Sequence, residues 1–128
     1  MAKIVFCEDE VLIQKLFRVM LRTTNHELFL APNGIEGLEL VERVRPDLIF
    51  TDISMPDCDG YQFADAVKAR PYLAGIPIIF VSAFAQQSEM EEGFRHGGAS
   101  YIIKPFSAAD LYEKIERFCN QKTSPHVN

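Results

Sequence analysis

The chain has 128 residues, enough for one domain, and with 48% hydrophobic residues it can bury a sizeable core. Its net charge of −5 at pH 7, with no cluster of Lys or Arg longer than a pair, argues against a nucleic-acid footprint and against binding to an anionic membrane. Cys7, Cys58 and Cys119 are odd in number and lack CxxC or Cys/His ligand spacing, so the composition predicts reduced thiols in a soluble cytoplasmic protein.

The N-terminal KIVFC run, Lys3 to Cys7, has the β-branched and aromatic residues of a strand. It is too short for a signal peptide or a membrane span and ends in three acids, Glu8, Asp9 and Glu10. From Val11 to Arg22, Leu12, Leu16, Val19 and Met20 recur at helical spacing and predict an amphipathic helix with that stripe inward. Thr23 to His26 breaks it, and His26 is expected at the surface of the turn. Glu27–Ala31 predicts a second strand, closed by Pro32-Asn33-Gly34. A helix from about Ile35 to Arg45 carries Leu38, Val41 and Val44 on one stripe, and Pro46 stops it.

Leu48-Ile49-Phe50 is a continuous apolar run, the pattern of a strand buried on both faces, and it delivers Asp52 where the run stops. Pro56, Asp57, Asp59 and Gly60 supply turn chemistry beyond it, with Cys58 in the same loop. Tyr61 to Arg70 predicts a third helix with Phe63, Ala66 and Val67 inward. Ile76–Val81 predicts a fourth strand whose Pro77 is tolerable only near its start, delivering Ser82 and the small Ala83. Ala85 to Arg95 reads as a more polar helix ended by Gly97-Gly98. Ala99–Ile103 predicts a fifth strand before Lys104-Pro105-Phe106. Ser107 caps a last helix with Leu111, Ile115 and Phe118 on its core face, followed by a polar tail from about Gln121.

Five strands alternating with five helices through short connections predict an α/β fold, a parallel sheet with helices on both faces. Parallel strands send their carboxyl ends to one edge, where such sheets keep their ligands. That edge receives Glu8, Asp9 and Asp52 together with Ser82 and Lys104. Three packed carboxylates repel one another and raise their pKa values unless a cation sits among them. Oxygen-only ligands with room for water suit Mg²⁺ better than Zn²⁺. A lysine and a hydroxyl beside them make an anion pocket, and a carboxylate nucleophile in such a pocket suits phosphoryl transfer.

Four marks in order, each at a strand end, resemble the receiver domain of bacterial two-component response regulators. They are Glu8-Asp9, Asp52-Ile53-Ser54-Met55-Pro56 continuing to Gly60, Ser82-Ala83, and Tyr101 three residues before Lys104-Pro105-Phe106. The resemblance spans about residues 3 to 120 and implies the flavodoxin-like, doubly wound strand order 2-1-3-4-5. It implies that Asp52 accepts the phosphoryl group. Asp9 and Asp52 would bind Mg²⁺ (or Mn²⁺) directly, Glu8 would act through a water, and Ser54 would contribute its main-chain carbonyl. Ser82, Ala83 and Lys104 would form the phosphoryl pocket, Tyr101 would report its state, and Lys104–Pro105 would be a cis peptide. Ser54 and Phe84 would flank the approach of the hydrolytic water. The expected donor is a histidine kinase or histidine phosphotransfer protein. The expected output face is the fourth helix, fifth strand and fifth helix.

The expected organisation is a receiver over residues 1–121 and a tail over 122–128, a stand-alone regulator of chemotaxis or sporulation-phosphorelay type or a piece of a longer one. Such a chain is a switch rather than a turnover enzyme. A Mg²⁺-dependent phosphatase of the haloacid-dehalogenase type would need an acid two residues after the nucleophile, where Ser54 stands. A degenerate receiver would have lost the acceptor or the acids. A dinucleotide-binding role would need GxGxxG after the first strand, which is missing.

Overall fold

The computed structural model describes residues 1–83 and 86–123, the last four as backbone. Five strands, β1 (Lys3–Cys7), β2 (Glu27–Ala31), β3 (Leu48–Asp52), β4 (Ile78–Ser82) and β5 (Ser100–Ile103), form one parallel sheet in the order β2-β1-β3-β4-β5. Between and after them run α1 (Val11–Leu21), α2 (Gly34–Val44), α3 (Gly60–Lys68), α4 (Gln87–Arg95) and α5 (Ala108–Thr123). Every residue of β3 and β4 is buried, as their continuous apolar runs require, whereas the edge strand β2 is mostly half-buried.

The alternation of side chains along each strand divides the core between the two faces of the sheet. On one face Val5, Cys7, Ile49, Ile78, Phe80 and Tyr101 meet α2, α3 and Met90 of α4. On the other, Ile4, Phe6, Leu48, Phe50, Ile79, Val81 and Ile102 meet α1 and α5. Leu111 and Ile115 are buried and Phe118 packs against them, as their spacing predicts.

Local chemistry sets the helix ends. Asn33 accepts a hydrogen bond from Glu36 N at 2.9 Å to open α2, and Arg45 closes it in the left-handed region at φ 52°. Asp59 and Gln62 form a reciprocal capping box at the start of α3. Ser107 and Asp110 exchange backbone-to-side-chain bonds before α5. β4 begins at Ile78, two residues later than the apolar run suggests, because Pro77 has no N–H to donate to the ladder. α5 runs through Thr123, past the predicted start of the tail.

The stripe predicted for α1 is incorrect. Phe17 and Leu21 are buried and Ile13 and Met20 pack beside them, while Leu12 is 79% exposed, Val19 51% and Leu16 41%. The decisive contact is Phe17, stacked on Phe6 with ring centroids 3.9 Å apart and edge-on to Phe50 and Phe106. A ring of that size buries more apolar area than either leucine, so it chooses the helix face. His26 also differs from expectation: its Nδ1 accepts from Ala2 N at 3.0 Å, and the half-buried ring ties the turn to the start of β1.

Candidate functional site

At the carboxyl edge of the sheet, β1 and β3 lie side by side, so Glu8, Asp9 and Asp52 converge. One carboxylate oxygen from each of the three lies within 4.8 Å of the other two. Glu8 turns inward with no exposed surface, Asp52 is 8% exposed, and Asp9 faces solvent. Lys104, just after β5, reaches across β4: its Nζ is 3.2 Å from Glu8 Oε1 and 3.5 Å from Asp52 Oδ1. Asp52 Oδ1 also accepts from Ile53 N at 2.9 Å, and Glu8 Oε2 accepts from Glu10 N at 3.0 Å.

Burial dominates the electrostatics. It pushes the Glu8 carboxyl up to about 7, against the backbone hydrogen bond from Glu10 and the charge of Lys104. It also raises Asp52, and there Lys104 is the chief opposing influence. Repulsion among the acids adds to both shifts but is the smaller cause. Lys104 is itself held above its ordinary value, because Asp52 and Glu8 together outweigh its desolvation. Three carboxylates set against one ammonium, with oxygen donors only, match the preferences of a hard divalent cation.

A cleft of about 480 Å³ opens beside the acids, lined by Asp9, Ile53, Ser54, Met55, Pro56, Asp59 and Tyr61. Its wall depends on Gly60, whose N donates to Ile53 O at 2.8 Å. A Cβ on Gly60 would lie 2.2 Å from Asp52 O, so only glycine permits this turn. The loop also places Asp57 at φ 68°, a left-handed conformation that aspartate tolerates better than most residues.

A sequence model of the response regulator receiver domain matches residues 4–116. The chain belongs to that family. It is 37% identical over 116 residues to the polar-differentiation response regulator DivK of Brucella anthropi, covering 90% of this chain and 94% of that one. The receiver domain of the sensor histidine kinase PA1611 from Pseudomonas aeruginosa superimposes with a TM-score of 0.86 at 30% identity, over 93% of this chain and 98% of that one. That structure has a magnesium ion coordinated in its active-site cleft. The chemotaxis response regulator CheY4 of Vibrio cholerae gives a TM-score of 0.87 at 26% identity, over 92% and 98% of the two chains. The protein is therefore a phosphorylation-dependent signalling switch of the two-component type. Among the described residues, no helix is long and apolar enough to cross a membrane.

Ser82 is buried at the end of β4, its carbonyl accepts from Lys104 N at 2.8 Å, and Ala83 beside it is exposed. The Lys104–Pro105 peptide is cis. Phe84 lies outside the described residues. Tyr101 pairs in register with Phe80, and its ring is turned inward with 8% exposure. Its hydroxyl is buried without a hydrogen bond of normal geometry, and burial raises the phenol's pKa, with the nearby Ser82 hydroxyl partly offsetting the rise.

Three supporting residues escaped the sequence reading. Gln14 donates to Glu8 O at 2.6 Å from the first turn of α1, and nothing in its spacing announces that contact. Thr51 donates to Asp52 O at 2.8 Å, and a hydroxyl inside a buried apolar run was the available signal. Tyr61 lines the cleft and packs edge-on against Phe80. Cys7 is buried in the core, and Cys58 is half-buried against Gly34.

Proposed function

We propose that Asp52 is the phosphoacceptor and that the donor is a phosphohistidine on a histidine kinase or a histidine phosphotransfer protein. The observation that carries this reading is the position of Lys104, whose ammonium lies within 3.5 Å of Asp52 and 3.2 Å of Glu8. An Asp52 carboxylate oxygen attacks phosphorus, the phosphorus–nitrogen bond breaks, and the imidazole leaves with the electron pair and takes up a proton. Lys104 and the Ser82 hydroxyl then hold phosphoryl oxygens through charge-assisted hydrogen bonds. The small, exposed Ala83 keeps the approach open.

Asp9, Asp52, the Ser54 carbonyl and, through a water, Glu8 would hold Mg²⁺ or Mn²⁺. When bound, the cation neutralises charge on the transferring oxygens. The surplus of acid over base at this edge supports that assignment. On this reading the cytoplasmic chain transmits a signal and turns over no external substrate.

The outer face of α1 supports a place for the donor. Leu12, Leu16 and Val19 are exposed together, beside Lys15 and Arg18, and the helix begins one residue after Glu10 at the rim of the acid cluster. An apolar helical surface joined to the reactive edge suits a helix-bearing partner that presents its histidine over Asp52. The output face formed by α4, β5 and α5 includes exposed Phe94, Ile103 and Tyr112. Intact mass after incubation with acetyl phosphate tests the core of the reading. One added phosphoryl group is expected, dependent on Mg²⁺; labelling that excess chelator leaves undiminished would overturn the metal's role.

A further inference from the structure

α4 is the helix with the least apolar attachment to the sheet. Gly93 is its one fully buried residue among those described, and Met90 adds a partly buried contact. Gly93 lies flat on the core: a Cβ there would come within 3.1 Å of Phe80 and 3.3 Å of Tyr101. With so little apolar burial, polar contacts at the ends of α4 decide how firmly it sits.

The strongest of these contacts centres on His96, the residue that closes α4. Its Nδ1 is 2.7 Å from Asp65 Oδ1 on α3, and its Nε2 is 2.9 Å from Glu92 Oε2 on α4. The imidazole also stacks on Tyr61 of α3, with centroids 4.6 Å apart and planes 18° apart. Tyr61 in turn packs against Phe80, and its hydroxyl donates to Glu89 O at 3.4 Å in the first turn of α4. A ring bonded through both nitrogens to carboxylates on two helices, with a tyrosine beneath it, forms a clamp across the α3–α4 gap. Both nitrogens can donate only when the ring is protonated.

We propose that His96 is a proton-controlled latch holding α4 against α3, so that the α4 side of the output face loosens as pH rises from mildly acidic to alkaline. The charged groups facing it are Asp65 from α3 and Glu92 from α4, with Arg95 also paired to Glu92. Lys68 of α3 passes Gly97 with its aliphatic chain, but its ammonium is taken up by Ala74 O and Ile76 O. Phe80 and Tyr101 from the sheet bring no charge at neutral pH. The hydrogen bond to Asp65 is the largest influence holding the imidazole's pKa above its ordinary value; burial opposes it and Glu92 adds to it. The latch is thus fully closed below the unfolded histidine's value and opens as pH climbs through the raised one.

The test is amide hydrogen exchange on the full chain at about pH 6 and about pH 8, with α4 protection factors expressed relative to β4. In wild type the relative protection of Gln87–Arg95 is expected to fall by roughly threefold or more, a scale set by partly exposed ion pairs. In His96→Asn that pH dependence should vanish. Glu8, which titrates near the same pH, remains in that variant, so the subtraction isolates the latch. Should His96→Asn fail to fold, Asp65→Asn keeps a hydrogen-bonding partner without its charge and should lower the midpoint of the transition. A ratio that does not move with pH in wild type would overturn the proposal. So would a fall that persists unchanged in His96→Asn, or an unchanged midpoint in Asp65→Asn.

Discussion

Lys104 Nζ lies 3.2 Å from Oε1 of Glu8, a carboxylate with no exposed surface. The two residues are 96 positions apart and come together only because β1 and β5 end at the same edge of a parallel sheet. Removing the ammonium leaves Glu8 and Asp52 buried without their counter-charge. Lys104→Ala is therefore expected to lose about 3 kcal/mol near pH 8, the lower end of the cost of breaking a buried pair, because the lysine keeps 19% of its side chain exposed. Urea unfolding measures it. The variant should still bind Mg²⁺, since lysine is not a ligand, and lost metal binding would contradict the role given to it.

Glu8 itself makes stability depend on pH. Its carboxyl is held at about 7 in the fold against an ordinary 4.5, so the folded state binds a proton that the unfolded chain has released. That contribution is fully present below 4.5 and is lost as pH rises through about 7. In excess chelator, the Tm of wild type should fall between pH 5 and pH 8, and Glu8→Gln should fall less over the same interval. His96 acts in the same direction and remains in that variant, so the difference between the two curves is the part due to Glu8. Parallel curves would show that burial does not govern this carboxyl.

Gly60 and Gly75 offer a matched contrast. A Cβ on Gly60 meets backbone, 2.2 Å from Asp52 O and 2.9 Å from Ile53 Cα, whereas one on Gly75 meets nothing within 4 Å. Gly60→Ala should cost about 3 kcal/mol in urea unfolding, at the upper end of overpacking costs. It should also slow phosphorylation, because it pushes on the carbonyl of Asp52. Gly75→Ala should stay within about 0.5 kcal/mol of wild type.

The exposed face of α1 predicts a separation between donors. Leu12→Ala with Leu16→Ala should leave stability and acetyl phosphate labelling near wild type, since both side chains are exposed. Transfer from a phosphorylated cognate histidine domain should fall roughly tenfold or more, as for interface anchors worth at least about 1.4 kcal/mol. Equal loss with both donors would place these leucines in the chemistry and not in docking.

The parts of this molecule that were legible in the sequence share a physical cause. β3 and β4 are continuous apolar runs with Pro, Asp or Gly at their ends, so both the strands and the edge where Asp52 and Ser82 emerge follow from pattern alone. α1 was harder because Val11-Leu12-Ile13 and Leu16-Phe17 place apolar residues on both sides of the helix. Periodicity cannot choose between two such stripes; the fit of Phe17 against Phe6 and Phe50 does. Tyr101 depended on register, which pairs it with Phe80, and its inward turn depends on the space that Gly93 leaves above the sheet. The His96 clamp joins α3 to α4 through residues 31 positions apart, beyond the reach of any local spacing rule.

The central claim, that Asp52 carries the phosphoryl group, is tested most directly by locating the modification. An acyl phosphate on aspartate is reduced by borohydride to the alcohol, converting the residue to homoserine. After incubation with acetyl phosphate and Mg²⁺, borohydride treatment and peptide sequencing by mass spectrometry should find homoserine at position 52, and none when Mg²⁺ is chelated. Homoserine at Asp9, Asp57 or Asp59, or a phosphorylated chain with no reducible aspartate at 52, would contradict the assignment.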